Sequence, residues 1–123
     1  MELVSGIDLI EIERLGGALQ RHGERLLQRI YTPQEILDCQ GRLPSLAARF
    51  AAKEAVAKAL GTGIGLVGWR EIEIRLGELG QPVLHLHGAA AERAMALGLA
   101  NWSISLSHSQ DHAIALAVAC GRI

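Results

Sequence analysis

The spacing of hydrophobic and polar positions changes several times along the chain, and each change predicts a new element. Residues 1–10 are mostly apolar, which predicts a buried or half-buried strand. From about Glu11 to Leu27 the pattern is helical, with breaks expected at Gly16-Gly17 and at Gly23. Thr32, Pro33 and Glu35 have the spacing of a capping box, so a short helix should begin there and end near residues 40–41.

A long central helix should begin at Pro44 or Ser45 and end at the glycine run Gly61–Gly65, which predicts a bent loop. Phe50, Val56, Ala57 and Leu60 are expected to face the core. Strict alternation over 71–76 places Ile72, Ile74 and Leu76 on one face and Glu71, Glu73 and Arg75 on the other. The remaining elements predicted are strands at 83–87, 102–108 and 113–119 and a short helix at 89–97.

This order of strand, helices, two strands, helix and two strands predicts an α+β fold in which an antiparallel sheet packs on the long central helix. At 123 residues, a single domain spanning 1–123 is expected. No internal repeat or linker divides the chain.

Composition narrows the classes of function. The formal net charge is −1 and aromatic residues make up 3% of the chain, which argues against nucleic acid as a partner. The longest apolar run, 113–120, is too short to span a membrane. Cys39 and Cys120 lack partners at metal-ligand spacing and are expected to be reduced. With no signal peptide recognisable at the N-terminus, a cytoplasmic protein is expected.

Three short segments carry candidate chemistry. Glu54 and Lys58 are one helical turn apart, which suits an ordinary ion pair or a metal ligand beside a phosphate ligand. Asp8 lies in an apolar strand, where it either caps the following helix or meets a cation or metal. Two such carboxylates could hold Mg²⁺ together with water and phosphate oxygens, while Lys58 and the amides of Gly61–Gly65 hold the phosphates. His108, at the end of a strand, could add a contact, although a structural histidine is the common alternative. Jointly these features indicate magnesium-dependent chemistry on a pyrophosphate.

A basic stripe is predicted on the first helix. Arg14, Ala18, Arg21 and Arg25 follow one another at spacings of four, three and four, which places them on one face. The stripe is either a solvated surface or a docking surface for an acidic partner, for which arginine suits paired carboxylates.

The sequence resembles the holo-[acyl-carrier-protein] synthases, the small bacterial class of 4′-phosphopantetheinyl transferases. The resemblance is carried by Gly6-Ile7-Asp8, by Arg49 through Ala55 running through Lys58 to Gly61-Thr62-Gly63-Ile64-Gly65, and by Ser105-Leu106-Ser107-His108-Ser109. The resemblance covers essentially the whole chain. It implies the 4′-phosphopantetheinyl transferase fold and transfer of the 4′-phosphopantetheine arm of coenzyme A to a serine of apo acyl carrier protein, with release of 3′,5′-ADP. It also implies dependence on Mg²⁺, with Mn²⁺ as a possible substitute, and a homotrimer with active sites at the subunit interfaces.

Residue roles follow from the same resemblance. Asp8 and Glu54 match the metal-binding acidic pair, and Lys58 matches the phosphate-binding lysine, so these three form the expected catalytic set. Coenzyme A is expected to contact Arg49, Lys58, Gly61, Gly63, Gly65, Ser107 and His108, the last near its 3′-phosphate. Arg14 and Arg21 match the face that binds the carrier protein, and Ala18 and Arg25 extend it. Glu54, or a base from the carrier protein, would accept the serine proton.

One position departs from the family pattern. Family members often carry Gly-Lys-Pro in the hairpin, where this chain has Gly80-Gln81-Pro82, which puts a phosphate contact at position 81 in doubt.

Two other functions stay open. A non-catalytic binding module of the same fold would be expected to lack one acidic ligand, yet both are present. A magnesium-dependent phosphohydrolase would need a water-positioning residue, which the sequence does not supply.

Overall fold

The computed structural model describes residues 2–121, and its elements follow the predicted order. They are β1 (Leu3–Glu11), α1 (Ile12–Ile30), α2 (Pro33–Cys39), α3 (Leu43–Ala59), a 3₁₀ turn (Trp69–Glu71), β2 (Ile72–Leu76), β3 (Pro82–Leu86), α4 (Gly88–Ala96), β4 (Asn101–His108) and β5 (His112–Cys120). The predicted boundaries agree to within three residues, and only Met1 of the predicted first strand lies outside the described residues.

The strands form two antiparallel units. One sheet has the order β1-β5-β4, and β2 pairs with β3 as the predicted hairpin. Helix α3 packs on the inner face of the three-stranded sheet, where Ala115, Ala117 and Ala119 are buried. Small side chains on both surfaces let the helix approach the sheet closely.

The first helix differs from the prediction at one glycine pair. Gly16 and Gly17 lie inside regular helix, so the predicted break there is wrong. A Cβ atom at Gly16 would lie 2.7 Å from a methyl carbon of Leu43, so the absence of a side chain lets α1 pack on the start of α3. The predicted break at Gly23 is confirmed, because its φ of 60° and ψ of −148° interrupt the helix.

Local sequence signals elsewhere agree with the structure. Thr32 accepts a hydrogen bond from the Glu35 backbone, and the Glu35 side chain accepts one from the Thr32 backbone, which confirms the capping box. Val56, Ala57 and Leu60 are fully buried as predicted. The buried surface of α3 is much broader than these predicted core residues, because eleven of the seventeen residues of the helix are buried.

The cysteines and the helices bear on two further predictions. Cys39 is buried, Cys120 is half-buried, and neither forms a disulfide. Within residues 2–121, none of the helices combines the length and the apolar character needed to cross a membrane.

Candidate active site

Asp8 lies in the middle of β1 and pairs with the lysine predicted to bind phosphate. The Lys58 Nζ donates to Asp8 Oδ1 at 3.1 Å and to the Ile7 carbonyl oxygen at 2.9 Å. The Asp8 side chain is 19% exposed and that of Lys58 is 53% exposed. The capping alternative for Asp8 is wrong, since the first helix begins after Glu11 without a side-chain cap. The alternative of an intrahelical Glu54–Lys58 ion pair is also wrong, because Lys58 reaches across to β1.

Glu54 is held by a residue that the sequence did not single out for a role at the site. The Trp69 Nε1 donates to Glu54 Oε1 at 3.2 Å, and the structure of residues 2–121 records no partner for the other carboxylate oxygen, Oε2. Glu54 is half-buried. Its carboxylate therefore has one fixed and one available oxygen.

Asp8 and Glu54 line one cavity of about 450 Å³. Arg14 and Ala18 of α1 form another part of its wall, and the remainder is mostly apolar. Two carboxylates fit Mg²⁺, which keeps several waters and takes further ligands from substrate phosphates. Residues 2–121 contain no larger cluster of histidine, cysteine and carboxylate side chains suited to a metal.

The glycine loop follows α3 directly. Gly61, Gly63 and Gly65 have φ values of 76°, 64° and 133°, which favour glycine. Their amides donate to the carbonyl oxygens of Lys58, Ala57 and Val67, respectively. The loop is thus closed by its own backbone, and a phosphate contact from these amides stays a prediction.

Arg49, Ser107 and His108 lie together, in a different place from Asp8 and Glu54. They line a separate cleft of about 170 Å³ between α3, β4 and the β2–β3 hairpin. Arg49 is 5% exposed and donates to the carbonyl oxygens of Ile74 and Ser45, with no ion-pair partner found among residues 2–121. A buried guanidinium without a carboxylate favours an anion at this cleft. His108 is exposed, with Nδ1 3.3 Å from the Ser109 carbonyl oxygen.

The basic stripe is only partly continuous. Arg14 and Arg21 are exposed and Ala18 is half-buried on the first segment of α1, and Arg14 and Ala18 line the 450 Å³ cavity. Arg25 is exposed but follows the interruption at Gly23, so helical spacing does not extend to it.

A buried ion pair lies behind the site. The Lys53 Nζ donates to Glu35 Oε1 at 2.7 Å and to the carbonyl oxygens of Trp69 and Ile72 at 2.9 and 2.7 Å. Both side chains are fully buried. Burial lowers the pKa of Lys53, and the Glu35 carboxylate opposes this shift. The pair joins α2 and α3 to the segment that carries Trp69.

Glu73 was predicted on the face opposite the core, but it is 3% exposed. Burial alone would raise its pKa, but hydrogen bonds from Thr32, His87 and Arg75 outweigh that effect and lower the pKa to about 2. Arg75 lies on β2 beside Glu73, but Thr32 and His87 come from other segments, which alternation within β2 could not reveal.

Comparison with known proteins gives a consistent result. Residues 5–117 match the 4′-phosphopantetheinyl transferase superfamily. A holo-[acyl-carrier-protein] synthase of Herpetosiphon aurantiacus is 52% identical over 97% of this chain and 99% of its own length.

Two solved structures are similar as well. The Helicobacter pylori holo-[acyl-carrier-protein] synthase in complex with coenzyme A has a TM-score of 0.87 and 32% identity, over 94% of this chain and 99% of that one. A holo-(acyl-carrier-protein) synthase from Bacillus anthracis in complex with CoA (3′,5′-ADP) has a TM-score of 0.79 and 34% identity, over 97% of this chain and 96% of that one.

Proposed function

This chain belongs to the 4′-phosphopantetheinyl transferase superfamily, and from that premise we propose that it has the activity for which its relatives are named. It transfers the 4′-phosphopantetheine of coenzyme A to a serine of apo acyl carrier protein and releases 3′,5′-ADP. The family and the fold class predicted from the sequence are confirmed, and the predicted activity is the one for which the relatives are named. The observation that carries the residue assignment is the shared cavity of Asp8 and Glu54, with Lys58 bonded to Asp8.

The residues present account for the chemistry of the transfer. The nucleophile is a hydroxyl group of the partner, so the chain needs none of its own. Asp8 and Glu54 would hold Mg²⁺, which supplies charge stabilisation to the pyrophosphate during in-line displacement. Lys58, half-exposed, would bind the pyrophosphate oxygens and offset the charge of the leaving group. Glu54, or a base from the carrier protein, would accept the serine proton.

The second cleft would bind the 3′-phosphate end of coenzyme A. Arg49 supplies a buried positive charge there, and His108 and Ser107 supply exposed hydrogen-bonding groups. Asp8 and Glu54 do not line this cleft, and Arg49 and His108 do not line the acidic cavity. The two sets of residues would therefore meet on one coenzyme A molecule when the cleft of one subunit faces the cavity of another.

The outer face of the three-stranded sheet supports such an assembly. Leu3, Ile7 and Leu9 are 70%, 55% and 61% exposed, and Leu116, which pairs with Ile7 in the sheet, is 40% exposed. An apolar sheet face of this kind favours an interface. We propose a homotrimer in which this face lies between subunits. Native mass spectrometry would return the trimer mass, and a monomer at working concentration would contradict the proposal.

The acidic partner would dock on α1. Arg14 lines the cavity and Arg21 is exposed on the same helical segment, so a carrier protein held there would present its serine to the pyrophosphate. The physical basis is charge complementarity with bidentate arginine contacts.

The activity is tested by the intact mass of apo acyl carrier protein after incubation with this protein, coenzyme A and Mg²⁺. The mass should increase by one phosphopantetheine, and the increase should be absent without metal and in Asp8→Ala and Glu54→Ala variants. Coenzyme A binding without any mass increase, tried with several carrier proteins, would instead indicate a non-catalytic binding module.

A further inference from the structure

We propose that Trp69 is a positioning residue for the metal ligand Glu54. Its indole N–H fixes one oxygen of the carboxylate and leaves the other available to the metal. This inference rests on the proposed function, since it assigns Trp69 a part in the same magnesium site.

The hydrogen bond between the two side chains is the first observation. Trp69 Nε1 lies 3.2 Å from Glu54 Oε1, and both residues line the cavity that also contains Asp8. A carboxylate on a helix can rotate about three side-chain bonds, and a fixed donor restricts that rotation. Donors that orient a metal-binding carboxylate typically change metal affinity or activity 10–100-fold when removed.

The indole ring is itself held from two sides. The Phe50 ring lies 6.0 Å away between centroids, tilted by 37°. The Arg29 guanidinium carbon lies 6.0 Å from the centre of the Trp69 ring, within cation–π range. The direction of the N–H is thus set by packing as well as by the hydrogen bond.

The backbone of Trp69 is fixed by the same helix that carries Glu54. The buried Lys53 donates to the carbonyl oxygens of Trp69 and Ile72. Phe50, Lys53 and Glu54 of α3 therefore contact the ring, the backbone and the indole N–H of Trp69, respectively. Such multiple contacts to one helix are typical of a pre-organised site.

The test removes the N–H and keeps an aromatic ring at position 69. In Trp69→Phe, the aromatic packing against Phe50 remains and the donor is lost. Trp102→Phe is the matched control, because Trp102 lines a groove with Leu84 and Leu99, away from the cavity. Binding of Mn²⁺ in the presence of coenzyme A, without carrier protein, is measured by electron paramagnetic resonance or calorimetry, and the melting temperature is recorded for each protein.

Trp69→Phe should bind the metal 10- to 100-fold more weakly than the wild type, and Trp102→Phe should bind it as the wild type does. In the transfer assay, the Mg²⁺ concentration for half-maximal rate should rise by the same factor, while the KM for carrier protein should not change. Wild-type metal affinity in a folded Trp69→Phe protein would overturn the inference.

A second replacement covers poor folding of Trp69→Phe. In the Trp102→Phe background Trp69 is the sole tryptophan, so benzothienylalanine incorporated in place of tryptophan would exchange only its N–H for sulfur. The same loss of metal affinity is expected, and an unchanged affinity would again overturn the inference. Because metal binding is measured without transfer, a wild type that binds metal and fails to transfer would contradict the proposed function alone.

Discussion

Gly6 of β1 lies directly against the carbonyl oxygen of Ala55 in α3. A Cβ atom at position 6 would overlap that oxygen and would lie 3.0 Å from the Ala59 amide nitrogen. This contact sets the distance between two backbones, one carrying Asp8 and the other carrying Glu54 and Lys58. Glycine at position 6 is therefore a requirement of the site geometry as well as of packing.

Gly6→Ala should destabilise the fold and separate the two halves of the acidic cavity. Overpacking of this kind costs about 1–3 kcal/mol of unfolding free energy. Ser5→Ala is the control, because Ser5 is exposed and the same side-chain size is reached without a clash. Urea unfolding followed by circular dichroism measures the difference, and wild-type stability of Gly6→Ala would contradict the close approach.

Lys53 and Lys58, five residues apart on α3, should give opposite results when changed to methionine. Lys53→Met leaves Glu35 buried and uncompensated, and we expect a loss of about 3–5 kcal/mol of unfolding free energy. Lys58→Met removes a half-exposed ion pair, so stability should change by less than about 1 kcal/mol. Its transfer activity should nevertheless fall strongly, because the pyrophosphate loses its cation.

The two measurements for each lysine variant are urea unfolding and phosphopantetheine transfer. A Lys58→Met protein with full activity would remove Lys58 from the proposed site. A Lys53→Met protein as stable as the wild type would show that the buried pair contributes little.

Reversing the charge at Arg21 should weaken carrier-protein binding more than reversing it at Arg25. Arg21 shares a helical segment with Arg14 and Ala18, whereas Arg25 follows the interruption at Gly23. We expect Arg21→Glu to raise the KM for apo carrier protein with little change in coenzyme A binding, and Arg25→Glu to have a smaller effect. Steady-state kinetics with each substrate varied separately checks this. An equal rise in the KM for carrier protein in both variants would instead support the continuous stripe predicted from spacing.

The sequence predicted the features that depend on neighbours along the chain. The capping box at Thr32 and the helix interruption at Gly23 are local, because side chains and glycine conformation act within a few residues. The motif residues Asp8 and Glu54 were likewise found from the sequence, and the structure places them on one cavity.

What the sequence could not reveal depends on segments distant along the chain. Glu73 is buried because Thr32, His87 and Arg75 supply its hydrogen bonds, and alternation on β2 contains no information about the first of these. Trp69 lies in an apolar segment of the sequence, which does not indicate a partner for its N–H. The folded structure brings Glu54 to it as the hydrogen-bond acceptor. The intrahelical cost of glycine predicted a break at Gly16, but packing on Leu43 overrides that local preference.

Shared sites between subunits can be tested by mixing two inactive variants. Asp8→Ala removes one carboxylate from the acidic cavity. The double variant Arg49→Gln/His108→Ala removes the guanidinium and the imidazole from the second cleft. After subunit exchange at equal amounts, about a quarter of the interfaces should combine two intact halves, because each interface draws one half from each neighbour. Recovery of activity toward that level supports the shared site, and no recovery despite exchange confirmed by native mass spectrometry would contradict it.

The bond between Lys58 and Asp8 has a thermodynamic consequence. In the metal-free protein Asp8 and Lys58 are paired with each other. A cation that binds Asp8 therefore releases Lys58 for phosphate, and a phosphate that binds Lys58 releases Asp8. Binding of the two ligands should then be linked, with each raising the affinity for the other by the same factor. Calorimetric titration of coenzyme A with and without Mg²⁺ measures that factor, and it should decrease in Lys58→Met. The ion pair would thus reduce the binding of either ligand alone and favour their joint occupancy.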